Sequence, residues 1–78
     1  MNNVLKVLVG ARKLDKFVEW GQLMESCGTL HVSKMMLDMF EVNGVVTVRR
    51  GDVVTVILTS EGYRFAVNYL EKKGMVTQ

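Results

Sequence analysis

Few side chains in this 78-residue sequence could do covalent or metal chemistry: it holds one cysteine, Cys27, and one histidine, His31. They stand four apart, a spacing that would put both on one side of a helix. A structural zinc site needs four ligands of this kind, so two are too few and no metal is expected. A redox role for Cys27 would need a lowered thiol pKa, of which the sequence gives no sign; a small buried residue is the expectation. Catalysis has equally little to stand on. There is no glycine-rich phosphate loop, no nucleophile-elbow turn and no convincing carboxylate pair, and a chain this short seldom builds the pocket most enzymes use. No catalytic residue, cofactor or small-molecule substrate is expected. What remains are cations. Ten basic residues against eight acidic ones leave a net charge of +2, too mild a bias to mark a strongly basic nucleic-acid binder, so placement matters more than the sum.

The apolar side chains are the second resource. They make up 49% of the chain, more than one small domain can hide, so self-association is expected. Met35, Met36 and Met39 form a stripe suited to a core or a protein interface. Tyr63, Phe65 and Tyr69 spread over two faces of one helical stretch. One face must pack on the domain, and the other is expected to form a homodimer interface through Val4, Leu8, Phe65 and Tyr69.

The elements that position these groups can be read in order. Helical periodicity marks stretches at about 3–12, 16–26 and 30–43, with a last helix at about 60–73. Asp15 is the expected N-cap of the second helix, with Trp20 a core anchor at its middle. Gly28 suits a tight turn before the third, and Asn43-Gly44 suits its end. In the third helix Ser33, Leu37 and Phe40 share one face. Residues 45–58 are two β-branched runs around Gly51-Asp52, a hairpin signature. A two-residue loop would pair Arg50 with Val53, Val48 with Thr55 and Val46 with Ile57, and would send Arg49 and Arg50 to opposite faces. A short extended piece near Lys13-Leu14 could add a third strand. Thr59 or Ser60 caps the last helix, and Met75 to Gln78 is expected to trail from it as a frayed tail. No apolar run is long enough for a membrane span and no leader pattern is visible, so a reducing, cytoplasmic setting without membrane contact is expected.

Three stretches carry a resemblance. Asp15 to Val42 reads as a helix, a glycine-containing turn and a second helix. Phe40-Glu41-Val42-Asn43-Gly44-Val45-Val46 is similar to a frequent passage from helix to strand. Ile57-Leu58-Thr59-Ser60-Glu61-Gly62 is similar to the Leu-Thr-x-x-Gly step of MarR-like regulators. Set in an element order that runs from about Val4 to Lys73, they resemble the winged helix-turn-helix family. The resemblance implies an α+β winged-helix fold in a single domain, and a homodimeric transcriptional regulator bound to double-stranded DNA. It implies a recognition helix at about 30–42 in the major groove, with His31, Val32, Lys34, Met35 and Asp38 outward and Thr29 beside them. Arg49 and Arg50 would lie on a wing touching phosphates or the minor groove, with Lys13 and Lys16 holding the backbone. Winged helices also serve as protein-interaction modules, and the methionine-rich face fits that alternative.

Overall fold

Four helices and a three-stranded antiparallel sheet make an α+β fold in the computed structural model, which describes residues 2–74. Helix α1 spans Asn2–Lys13 and is followed by a two-residue strand β1, Val18–Glu19. Helix α2 spans Trp20–Ser26; a 3-10 turn at Leu30–Val32 leads into α3, Ser33–Val42. Strands β2, Val46–Arg50, and β3, Val54–Leu58, form the hairpin, and α4 runs Ser60–Lys72. The sheet order is β1-β3-β2, with β3 central. The expected tail at Met75 to Gln78 lies outside the described residues. Among the described residues no helix is long and apolar enough to cross a membrane.

The hairpin register differs from the expected one by one residue. Arg50 pairs with Val54, Val48 with Val56 and Val46 with Leu58, so the loop has three residues, Gly51 to Val53. A two-residue loop led by glycine needs a positive φ at its first position, and Gly51 is not among the glycines that adopt one. The core decides the rest. Val46, Val56 and Leu58 are buried and Val18 and Val48 pack against them; only this register puts those side chains on one face. Thr47, Arg49, Thr55, Ile57 and Glu19 alternate onto the other.

The third strand is Val18–Glu19, not Lys13-Leu14, and it pairs with Val56 and Thr55. Asp15 accordingly does not cap a helix starting at 16. It takes φ 56° and closes α1: Lys16 N–H donates to Ala11 O at 2.9 Å and Asp15 N–H to Arg12 O at 3.0 Å. That pair of bonds is the Schellman ending, which needs a left-handed residue, a conformation aspartate tolerates better than most. Helices α2 and α3 end with the same bond pattern at Gly28, φ 70°, and Gly44, φ 69°. Because Val18 and Glu19 run extended as β1, α2 starts late and Trp20 opens it rather than standing at its middle. It is nonetheless a core anchor, buried edge-on against Phe40 with ring centroids 6.1 Å apart.

One joint ties α3, the hairpin and α4 together. Thr59 N–H donates to Val45 O at 3.0 Å, and the Thr59 hydroxyl donates to Gly44 O at 2.6 Å while accepting from Gly62 N–H at 2.8 Å. Gly62 lies so close to this crossing that a Cβ there would be driven into the Val45 carbonyl. The threonine caps α4 and the glycine permits the approach, which gives the Leu-Thr-x-x-Gly pattern a physical basis.

Candidate nucleic-acid interface

Helix α3 is held on α2 by Trp20, whose indole N–H donates to Ser33 O at 3.1 Å, and by burial of Phe40. The turn between the helices is closed by Thr29: its N–H donates to Met24 O at 2.8 Å, and its hydroxyl lies 3.3 Å from the same oxygen and 3.2 Å from the Met24 sulfur. Thr29 therefore works inward, as part of the turn. Of the residues expected to point outward, His31, Lys34, Met35 and Asp38 are exposed and Val32 is half-buried. The first turn, Leu30–Val32, is a 3-10 turn rather than α-helix.

The outward side of α3 has two stripes at i, i+4, i+7 spacing. Lys34, Asp38 and Glu41 form the charged one. Met35, Met39 and Val42 form the apolar one, and they are 67%, 44% and 84% exposed. Met36, by contrast, packs against the core. Met39 also lines a groove of about 480 Å³ between α3 and α4, which continues over Gly44 and Gly62 to Phe65.

Neighbouring hairpin arginines have different surroundings. Arg50 shares the core-facing side of the sheet and reaches back to α3, where its Nη1 and Nη2 donate to Glu41 Oε2 and Oε1 at 3.0 and 2.8 Å. This two-pronged hydrogen bond, helped by the pair's Coulomb attraction, pulls the Glu41 carboxyl below its usual range against some desolvation. It also raises the Arg50 guanidinium further. Among the described residues this is the one ion pair. Arg49 points to the opposite side, where its guanidinium lies 4.0 Å from the centroid of the Phe17 ring. An aromatic face orients a cation without neutralising it, so Arg49 keeps its charge available where Arg50 does not.

The expected contact residues do not form one patch. Lys34 lies on α3 and Arg49 on the hairpin. Lys13 lies beside Arg12 and Tyr63 near the start of α4, at the end of β3 away from the hairpin tip; a five-residue strand spans about 17 Å. Lys16 is exposed at the approach to β1.

The expected dimer face is also divided. Val4 and Leu8 are fully buried in the domain's own core, because α1 packs its apolar side on α4, so neither can meet a second copy. Phe65 remains 45% exposed and lies against the half-buried Tyr69, centroids 6.1 Å apart. Sequence reasoning missed Phe17 and Glu41. Phe17 directly precedes β1, and no local pattern distinguishes it from a residue of an amphipathic helix; nothing local links Glu41 to Arg50. No family model, no curated protein and no solved structure matches this chain.

Proposed function

We propose that this chain is a winged-helix protein that binds double-stranded DNA and acts as a transcriptional regulator. The observation that carries the reading is the order helix, strand, helix, turn, helix, hairpin, helix with a β1-β3-β2 sheet. That arrangement supports a helix-turn-helix flanked by a wing. The charge-bearing parts are Lys34 on α3 and Arg49 on the hairpin, both exposed and neither in an ion pair among the described residues. Arg49 is the stronger candidate for a phosphate, while Arg50 braces the hairpin against α3. Homodimerisation would use the exposed side of α4 around Phe65 and place two half-sites about 34 Å apart.

Fluorescence anisotropy with random duplex DNA, at low and at physiological salt, tests this. Affinity should fall steeply with salt, because each neutralised phosphate releases counterions. Arg49→Ala should lower the log–log salt slope by about 1, and Arg50→Ala should change it less. Absence of binding at low salt sinks the reading.

A second reading is favoured by the Met35, Met39 and Val42 stripe, which is unusual on a base-reading helix and fits a protein partner's apolar segment. Met35→Glu should then break a protein complex while leaving any DNA affinity as it was.

A further inference from the structure

The end of the molecule away from the hairpin tip carries a second cluster of cations. The C-terminal turn of α1 meets the first two turns of α4, and a depression of about 370 Å³ opens between them. Arg12, Ser60, Tyr63, Arg64, Val67 and Asn68 line it. A smaller depression, formed by Arg12, Lys13 and Tyr63, adjoins it. Arg12 and Arg64 thus share one depression and Lys13 lines the next, and none of these lining residues is acidic. Among the described residues, Asp15 and Glu61, the acids nearest in sequence, form no ion pair with them.

Arg12 lines both depressions. Its Nε is buried and has no hydrogen-bond partner, although a guanidinium N–H out of water normally has an acceptor and loses stability without one. Arg64 and Lys13 are exposed and line the same depression and the adjoining one, so a group entering here could accept from both and from the terminal nitrogens of the Arg12 guanidinium, the Nε itself being enclosed. An acceptor with several charged oxygens suits two guanidinium forks and an ammonium better than a single carbonyl does. Tyr63 and Val67 add an apolar wall, and Ser60 and Asn68 add neutral hydrogen-bonding groups. The volume falls within the range of small-ligand sites.

We infer that this depression is a binding site for a phosphate-bearing small molecule, with Arg12, Lys13 and Arg64 holding the phosphate and Tyr63 and Val67 packing on the remainder. The site does not depend on the DNA reading. It lies at the opposite end of β3 from the hairpin, out of reach of a phosphate held at the tip.

Titration of the 15N-labelled full chain with inorganic phosphate, at constant pH and ionic strength, tests the site by the amide shifts of Arg12, Tyr63 and Arg64. The expected result is saturable shifts at these residues. Arg64→Gln, at an exposed position, should weaken binding about tenfold, whereas the charge-matched control Lys72→Gln should bind as the parent does. Shifts that stay linear, or an Arg64→Gln variant with unchanged affinity, overturn the proposal. A parallel titration with duplex DNA separates the two sources of phosphate. Shifts at Arg12 and Arg64 with the duplex, without saturation by free phosphate, would assign them to a nucleic-acid backbone and overturn the small-molecule site. Phosphate binding in a chain that ignores DNA would support the site and refute only the DNA reading.

Discussion

The two ends of β3 are held in different ways. At the Leu58 end, Thr59, Gly44, Val45 and Gly62 meet in backbone and hydroxyl hydrogen bonds around a crossing with no room for a Cβ. At the Val54 end, a three-residue loop is braced by an exposed ion pair and a cation lying on a ring. The first end is fixed by the chain's own backbone and tolerates few residue types. The second is held by long side chains at the surface, where such contacts add little stability and side chains stay available for other partners. Stability is therefore concentrated at one end of the strand and the candidate DNA contact at the other.

The strongest challenge to that contrast is Gly62→Ala. It should destabilise the fold by about 3 kcal/mol or more, since backbone must move to admit the methyl group; urea unfolding monitored by circular dichroism reads this directly. Near-parent stability would mean the crossing is looser than described. Thr59→Ala should cost about 1–2 kcal/mol through loss of the α4 cap and the bond to Gly44, read as a lower urea midpoint with an unchanged slope.

Asp15→Gly sharpens the contrast in the other direction. The left-handed aspartate strains α1's ending, so glycine should raise stability by about 0.5–1 kcal/mol, and a fall would show that the aspartate side chain makes a compensating contact. The smallest effect belongs to the hairpin tip. The folded-state pKa of Glu41 is depressed by Arg50. Its contribution is thus present above the ordinary carboxylate range and lost as pH falls through the lowered folded value. Because both partners are exposed, Glu41→Gln should barely shift the thermal midpoint and should flatten that slight pH dependence. A large loss would place the tip among the stability determinants.

Much of this architecture is legible in the residue order. Gly28 and Gly44 mark helix ends that need a left-handed residue, and Thr59 with Gly62 marks the α4 start. The β-branched runs mark the hairpin. The register is not legible, because Gly51-Asp52 suits loops of two or three residues, and the choice falls to which side chains the core can cover. The segment from Asp15 to Trp20 misleads for a related reason. Phe17, Val18 and Trp20 fit a helical face as well as an edge strand, and pairing with Val56 settles it. For the candidate interface, residue type identifies the cations but not their availability. Arg49 and Arg50 are adjacent in sequence, yet one meets Glu41 and the other Phe17, and both differences arise from contacts across the fold. Burial of Val4 and Leu8 likewise depends on α4 lying over α1, which no local pattern announces.

The Thr59 crossing also bears on the order of folding. Its bond to Gly44 spans 15 residues, and the hairpin between them closes over a short loop, so this part of the chain gives up little loop entropy to come together. Packing α1 on α4 closes a much longer stretch and should come late, since distant contacts are slow to form. The segment from α3 through the first turn of α4 is then a natural nucleus. Substitutions at Thr59 should act mainly on the folding rate and truncations at Val4 mainly on the unfolding rate. A hydroxyl that caps one helix would thereby also set how quickly the chain finds its shape.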